Sequence, residues 1–430
     1  MPPRQSDLSV HQAPWYACRL SWRYWSVLLL VPSALAALVI RFVPFSQPMP
    51  LFFQQAQNLI DTGHVSSTFV ASGYSLVVAT GLRLGGILGV ECLQGAMYVA
   101  LAAAIWLCLK RMAVSDEHAL IAALVIVAYP DVLITVAKSW DVDLSSLLFL
   151  LTFWAALAVI TSGATVLRTT LLGCIWGAGM SVRPNLLLLF PALVFAITKA
   201  PSLSSSRTKN WTRRLITSSL CLVVGGGSLA AINTGIHGSF YWPENGPYNL
   251  YQGHNSYTIG SLRTSLTGEA LVARALYAEG VDYSKVDLGS ASMRSFFTTH
   301  SIAFARNHPG QEVEIAALKL LTVLRPDTKT HRVLSPFGIV KSLLALPVPV
   351  WIFSLVWWRK YKWDSIDWLA VGFAFFYLLP FVIVIADPRY RVPLDLLALM
   401  HTVRLWGRQT PSSTEKAPSN SNDLPDEATN

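Results

Sequence analysis

Charged residues are scarce in this chain of 430 residues. They make up 13% of it, against 53% apolar residues, whereas a soluble domain carries about a quarter charged residues. This shortage excludes an ordinary soluble protein. Together with a mean hydropathy of +0.45, it indicates that most of the chain lies in lipid.

Cysteine is also sparse, with five residues that show no pair spacing. All but Cys18 lie in or at the edge of apolar runs, which is typical of small buried side chains. The pattern argues against a disulfide framework and against a cysteine-based metal site. No unit of about 20–50 residues recurs, so a solenoid is excluded as well.

Basic residues exceed acidic ones, at 33 Lys and Arg against 24 Asp and Glu, for a net charge of +9. In a membrane protein such an excess belongs to the cytoplasmic loops. We therefore expect this positive charge to interact with the lipid bilayer and not with nucleic acid.

Apolar runs of about 20 residues, the length that crosses a bilayer, predict an all-α integral membrane protein. We predict about ten transmembrane helices, surface helices on the outer face and one long extracytoplasmic loop. Arg83 and nearby glycines interrupt the zone 73–109, so we place 73–85 at the outer surface and let 86–109 cross. The predicted spans are 24–44, 86–109, 118–137, 144–162, 167–182, 184–199, 214–236, 335–357, 365–386 and 392–406.

This arrangement places the strongly basic loops, 199–214 and 359–362, in the cytoplasm. The stretch 51–60 is amphipathic, which is typical of a helix on the membrane surface, and helices are expected at 291–300 and 312–324. The predicted units are a cytoplasmic head (1–23), an N-terminal transmembrane module (24–236) with a first outer loop at 45–85, an extracytoplasmic region (237–334), a C-terminal transmembrane module (335–406) and a disordered cytoplasmic tail (407–430).

Ionisable residues at the ends of spans collect on the outer side. Asp141 and Asp143 lie between two spans, and Arg183 directly follows a span. Each has a structural alternative, because the acids could be solvated caps of the next helix and the arginine could mark a span end. Arg389 and Arg391 lie with Tyr390 on a short predicted outer loop, so they are exceptions to the rule that basic residues collect in cytoplasmic loops.

Two guanidinium groups beside a tyrosine at headgroup level suit a phosphate or pyrophosphate. A carboxylate nearby could take a proton from an acceptor hydroxyl while the cations stabilise a departing lipid phosphate. This combination indicates glycosyl transfer from a lipid-linked phosphate, with Arg183, Arg389, Tyr390 and Arg391 as donor phosphate ligands.

The order of these motifs resembles that of the GT-C membrane glycosyltransferases, in particular the bacterial branch related to protein mannosyltransferases and lipid A aminoarabinose transferase. The resemblance implies a transferase that uses a polyprenyl-phosphate sugar and an envelope acceptor on the outer face of the cytoplasmic membrane. The matching stretches are Ala56 to Gly63 with Ser72-Gly73-Tyr74, Asp141-Val142-Asp143, Arg183-Pro184-Asn185, Asn249 to Asn255, Asn307-His308-Pro309-Gly310 with Lys319, and Arg389 to Pro393.

The chain departs from that family in its first outer loop. The resemblance implies a general-base aspartate there, but no carboxylate lies between Phe45 and Asn58. Either Asp141, Asp143 or Asp61 takes over as the base, or activity is weak or lost. We favour Asp141 as the base, and we expect Asp143 to cap the following span.

Four residues are predicted to bind substrate. Trp140, beside the acids, could stack on a sugar ring, and the resemblance adds Tyr251, His254 and Asn255. The cofactor stays open, because two carboxylates alone are too few ligands for a divalent metal and the histidines lack ligand spacing. The alternatives are a lipid or sugar transporter, which predicts charge near mid-membrane, and a non-catalytic relative of the transferases.

Sidedness can be tested at Ser205, in the basic loop. A cysteine introduced there in a cysteine-free background is expected to resist an impermeant thiol reagent added to intact cells, because basic loops stay in the cytoplasm. Labelling should appear only after permeabilisation. Labelling in intact cells would contradict the predicted topology.

Overall fold

The computed structural model describes residues 22–42, 50–65, 67, 69–138, 141–201, 207–259, 268–324, 346–357, 362–384 and 391–407, which contain helices and turns and no strand. The predicted all-α class is confirmed for this part of the chain. The helices are α1 Trp22–Phe42, α2 Pro50–Thr62, α3 Gly73–Arg111, α4 Asp116–Val127, α5 Pro130–Lys138, α6 Val142–Ser162, α7 Val166–Val182, α8 Phe190–Lys199, α9 Arg207–His237, α10 Gly246–Gly253, α11 Gly268–Ala278, α12 Ala291–Asn307, α13 Pro309–Leu324, α14 Pro347–Trp357, α15 Ser365–Ile383 and α16 Val392–Gly407, with 3₁₀ turns at Pro184–Leu189 and Tyr283–Lys285.

Five helices in the described ranges are long and apolar enough to cross a membrane: α1, α3, α6, α9 and α15. The chain is therefore a multi-pass membrane protein. Helix α6 is mostly buried among its neighbours, whereas α1 and α9 bury less than a quarter of their apolar windows. Apolar side chains that point outward from α1 and α9 are expected where a helix faces lipid.

Helix α3 is a hairpin of two helices that separate at Gly85 and Gly86. Gly86 has φ +63° and ψ −140°, a backbone conformation that favours glycine. Beyond the turn the chain doubles back, so that Tyr74 Oη lies 3.2 Å from Gln94 Oε1. Gly81 and Gly89 permit this close approach, since a Cβ on Gly89 would lie 2.1 Å from the Gly81 carbonyl oxygen. The predicted break between 85 and 86 is confirmed.

The predicted span 118–137 is wrong as a single helix. Helix α4 ends at Val127 and α5 begins at Pro130. A proline lacks the N–H that would continue the helix, and its ring disfavours helical geometry in the residue before it. Each piece is too short to cross a bilayer alone.

The remaining predicted spans correspond to shorter helices. Spans 167–182 and 392–406 are α7 and α16, and span 184–199 is a 3₁₀ turn followed by α8. Of the span 335–357, the part before residue 346 lies outside the described residues. The count of about ten transmembrane helices stays a prediction.

Helix ends predicted to share a side of the membrane are in contact. The Arg404 guanidinium at the end of α16 reaches the Asp364 carboxylate before α15 and the Met112 carbonyl after α3. Arg213 of α9 donates to the Ala164 carbonyl before α7 at 2.8 Å. All of these positions were predicted to be cytoplasmic, so the relative topology agrees, and the absolute orientation stays a prediction.

The predicted extracytoplasmic region is helical over α10 to α13. Tyr251, Val272, Leu276 and Phe297 form a small apolar core between α10, α11 and α12. The predicted break near Asn307 is confirmed, because α12 ends there and α13 begins at Pro309. Most of the predicted head (1–21) and tail (408–430) lies outside the described residues.

Candidate active site

Asp141 and Asp143 lie at the start of α6 and point to different partners. The Asp141 carboxylate forms an ion pair with Arg183, at 2.9 Å between Oδ2 and Nη2. The two side chains retain 13% and 7% of their exposure. The pair therefore lies near the surface of the protein but is largely removed from solvent.

The backbone around Arg183 explains this pairing. Arg183 ends α7 in an extended conformation, with φ −138° and ψ 99°, which is favoured because Pro184 follows. The extended residue lets the side chain leave the helix surface and reach the first turn of α6, which packs against α7. Arg183 thus joins the end of one membrane helix to the start of another.

Asp143 is completely buried. One carboxylate oxygen accepts a hydrogen bond from Gln94 Nε2 at 2.6 Å, and the other accepts from the Thr135 hydroxyl. The sequence alternative that these acids are solvated helix caps is wrong. Asp143 makes its bonds to α3 and α5, and Asp141, although it is the N-cap residue, makes no side-chain cap bond.

The first outer loop reaches this network through Tyr74. The Tyr74 ring packs against Phe52 of α2 with centroids 5.2 Å apart, and its hydroxyl contacts Gln94. Ser75 donates to Gln55 Oε1 of α2 at 2.6 Å. The predicted surface helix is therefore fixed to the acidic pair, although it carries no carboxylate before Asp61.

Asp61 is exposed at the end of α2, where both its oxygens accept from Gln57 Nε2, at 3.0 and 3.1 Å. Both oxygens of Asp61 therefore bond within its own helix. This makes Asp61 less suited than Asp141 to replace the missing first-loop base.

Arg391 is buried between two carboxylates. Its Nε lies 2.7 Å from Asp395 Oδ2, and its Nη2 lies 3.2 Å from Asp131 Oδ2. Asp395 has no exposure, whereas Asp131 is one-third exposed. The guanidinium therefore anchors the start of α16 to the start of α5. Its role in holding a donor phosphate stays a prediction, and Trp140, Arg389 and Tyr390 lie outside the described residues.

Helix α5 brings the two clusters together. Asp131, which binds Arg391, and Thr135, which binds Asp143, are four positions apart on this short helix. Such residues lie on one face with Cβ atoms roughly 5–6 Å apart. The acidic pair and the last predicted motif, about 250 residues later in the sequence, thus meet across one helical turn.

A third polar cluster holds the end of α15. His254 Nδ1 lies 2.7 Å from Glu312 Oε2, and its Nε2 contacts the Ile383 carbonyl. Lys319 Nζ donates to the Val384 carbonyl at 2.8 Å. Burial lowers the pKa of the Lys319 ammonium to about 8, although Glu312 opposes that shift.

Gly253 allows α10 to approach this cluster. A Cβ at Gly253 would overlap the Val384 carbonyl oxygen, at 1.6 Å. Any other residue would push α10 away from α15. The cluster therefore ties α10 and α13 to Val384, which lies three positions before Asp387 and five before Arg389.

Tyr251 and Asn255 have structural contacts. Tyr251 packs against Phe296 and Phe297. Asn255 donates to the Tyr251 carbonyl at 2.6 Å and accepts from the Tyr257 N–H at 2.9 Å. These contacts shape the loop after α10, and a role for Tyr251, His254 or Asn255 in substrate binding stays a prediction.

Several residues of these clusters were not among the predicted site residues: Gln94, Thr135, Asp131, Asp395, Glu312 and Lys319. Gln94 and Asp395 are polar residues inside predicted spans, a signal that marks functional positions in membrane helices. Lys319 belongs to the motif series, but its sequence neighbours give it no role. Asp131, inside the predicted span 118–137, carried the same signal, whereas the sequence gives no indication of the bond between Thr135 and Asp143.

No three His, Cys, Asp or Glu side chains come together as a metal site within the described ranges. Asp141 and Asp143 are the nearest candidates in sequence, but their carboxylates are engaged by different partners. The described geometry therefore assigns no metal ligand.

Comparison with protein-family models gives no match, and comparison with curated proteins gives none either. One solved structure similar to this chain is an archaeal oligosaccharyltransferase, AglB from Archaeoglobus fulgidus, in complex with an inhibitory peptide and a dolichol-phosphate. The TM-score is 0.46 and the identity 13%, over 91% of this chain and 50% of that chain. This chain thus spans about half the length of that protein, and a likeness of this strength carries no argument about its activity.

Lys319 gives a pH-dependent prediction. At pH 9.5, Lys319→Met is expected to lower the free energy of unfolding by about 1–3 kcal/mol, because the partly buried bonds to the Ile383 and Val384 carbonyl oxygens lose their donor. The loss should be smaller at pH 7. The pKa of Lys319 in the folded protein, about 8, lies below that of an unfolded lysine, so the unfolded state binds more protons between the two values and wild-type stability rises with pH there.

The measurement is unfolding in detergent at both pH values. Lys285→Met is the matched control, because Lys285 is exposed in the same region. A loss that stays constant or shrinks with rising pH would contradict the assignment.

Proposed function

We propose that this chain is a membrane glycosyltransferase that moves a sugar from a polyprenyl-phosphate donor to an envelope lipid, glycan or protein on the outer face of the cytoplasmic membrane. The observation that carries the proposal is the meeting of the Asp141–Arg183 and Asp131–Arg391 pairs at one end of the helix bundle. Paired acids and arginines beside a membrane surface suit proton removal together with stabilisation of a leaving phosphate.

Asp141 is the proposed general base. Its carboxylate is partly exposed, and Arg183 fixes its orientation. Asp143 cannot take this role without leaving its bonds to Gln94 and Thr135, because it has no exposure. Its proposed role is to hold α3, α5 and α6 so that Asp141 is placed correctly.

The donor phosphate is assigned to Arg389 and Tyr390, with Arg391 and Arg183 at its edge. Arg391 is engaged by Asp131 and Asp395, so its main proposed task is to anchor the motif. Lys319 and His254 hold the other end of the same segment through the Ile383 and Val384 carbonyls. These contacts involve the described residues on both sides of Arg389 and Tyr390, which supports the assignment of the donor phosphate to this motif. Trp140 and His254 are the proposed contacts to the sugar.

The transporter alternative receives less support. It predicts charge near mid-membrane, whereas the Asp141–Arg183 and Asp364–Arg404 pairs lie at helix ends. The non-catalytic alternative is favoured by one observation, the absence of a carboxylate between Phe45 and Asn58. Substitution of Asp141 separates it from the proposal.

Asp141→Asn is expected to abolish transfer while the protein stays folded and binds donor, because an amide cannot accept the hydroxyl proton. Asp143→Asn should mainly reduce stability. The measurement is mass spectrometry of envelope glycans from a deletion strain complemented with each variant, in which the residue mass lost on deletion names the sugar. Asp282→Asn, which alters an exposed acid between α11 and α12, is the control.

Full restoration of the glycan by Asp141→Asn would refute the base assignment. Loss through Asp61→Asn alone would move the base to α2. If the deletion strain loses no residue mass from its envelope glycans, the result favours the non-catalytic alternative.

Arg389→Ala is expected to weaken donor binding by about 2 kcal/mol or more, because it removes a charge-assisted contact in a partly desolvated site. Binding of a polyprenyl phosphate to the purified protein measures the effect. Arg274→Ala is the matched control, since the Arg274 guanidinium stacks on Tyr257. Unchanged donor affinity in the Arg389 variant would show that the phosphate is held elsewhere.

A further inference from the structure

A cleft of about 560 Å³ opens between α7 and α9, at the end of the bundle opposite the Asp141–Arg183 pair. Such a volume is within the range of roughly 300–1,000 Å³ that holds small molecules. Its lining is apolar apart from one arginine and a few hydroxyls: Ala164, Thr165, Val166, Thr212, Arg213, Ile216 and Thr217. A smaller cavity beside it adds Ile197, Ala200, Pro201 and Arg214.

The charge of this cleft is positive. Arg213 lines the cleft, Arg214 lines the smaller cavity beside it, and no acidic residue is among the described residues that line either one. Arg213 donates to the Ala164 carbonyl at 2.8 Å, which holds the guanidinium at the wall of the cleft. Arg168, on the first turn of α7, donates to the Gly163 carbonyl at 2.9 Å. Cations are thus fixed on both helices that form the cleft.

The rim of the cleft is apolar and exposed. Val166, Leu167 and Ile216 keep 69%, 78% and 61% of their exposure. Trp211 lies one turn before Leu215 on the same helix and is 66% exposed. A tryptophan at a helix end beside arginines is typical of the membrane–water interface.

We propose that this cleft binds an anionic glycerophospholipid of the cytoplasmic leaflet. Its phosphate would contact Arg213 and Arg214, and its acyl chains would lie along Val166 and Ile216. Basic pockets between membrane helices on the cytoplasmic side suit such headgroups. A free phosphate would make no contact with the apolar rim. A zwitterionic lipid carries no net negative charge to match the arginines.

The site is separate from the proposed reaction. It lies at the end of α8 and the starts of α7 and α9, and α9 contacts both of the other helices. A bound lipid would therefore stabilise this side of the bundle and leave the outer-face chemistry untouched. The site also depends on the basic loop being cytoplasmic, where anionic lipids lie.

The experiment adds phosphatidylglycerol, phosphatidylcholine of the same chain length, or inorganic phosphate to the purified full chain in detergent. Native mass spectrometry counts bound lipids, and the thermal midpoint reports stabilisation. We expect phosphatidylglycerol to bind and to raise the midpoint, and the other two to do neither. Arg213→Gln with Arg214→Gln should weaken phosphatidylglycerol binding at least about tenfold, since each interfacial cation contributes roughly a factor of five.

Further variants separate a lost charge from misfolding. Arg214→Gln alone keeps the Arg213 bond to Ala164 and should weaken binding about fivefold. Arg214→Lys should bind within about threefold of the wild type. Arg41→Gln removes an exposed arginine from the end of α1 and should change nothing.

Equal binding of the two lipids would overturn the proposal, as would wild-type affinity in the double variant. Stabilisation by inorganic phosphate alone, matching that by phosphatidylglycerol, would overturn the lipid assignment in favour of a free-anion site.

Discussion

The buried carboxylate of Asp143 imposes the constraint on which the Asp141 end of the helix bundle depends. A charged or polar group in an apolar interior is costly unless hydrogen bonds replace the lost water. Asp143 has no exposure, so Gln94 and Thr135 must stay within bonding distance. This requirement fixes α6 against the α3 hairpin and against the short α5. The same arrangement positions Asp141, which lies two residues earlier.

The same constraint acts at the opposite end of the bundle. Asp367 and His401 are fully buried, and His401 Nε2 lies 3.0 Å from Asp367 Oδ1. Trp351 Nε1 donates to His401 Nδ1 at 2.8 Å, so the proton of a neutral ring belongs on Nε2, where it meets the carboxylate. Between the two ends the contacts are apolar, as in the packing of Phe149 and Phe153 against Phe373. Polar networks at both ends thus set the register of the helices, because the apolar contacts between the central parts of the helices are not directional.

Under the proposed function, this division of polar and apolar contacts places the reacting groups at one end of the bundle. The partly exposed Asp141–Arg183 pair adjoins Asp143, both of whose carboxylate oxygens accept hydrogen bonds. Lys319 and His254 contact the Ile383 and Val384 carbonyls, and Asp131 and Asp395 pair with Arg391. Under the proposed function, the paired Asp141 and Arg183 side chains would lose little freedom when a charged substrate arrives, which is what electrostatic catalysis requires. The lipid cleft lies at the other end, where apolar exposure and arginines coincide.

The sequence by itself determined the helical class, the membrane setting, the hairpin break at Gly85 and Gly86, and the grouping of acids and arginines at span ends. These follow from local properties, namely the length of apolar runs, the conformational freedom of glycine and the cost of charge in lipid. The prediction from sequence was wrong at 118–137, because the hydropathy indicates one apolar run there and Pro130 divides that run into two helices. Only the tertiary structure decided which polar side chains pair with one another. Asp131 and Arg391 are 260 residues apart, and Gln94 and Asp143 are 49 apart. Such pairings arise because packing brings distant helix ends together and buried charges must find partners there, which no local pattern specifies.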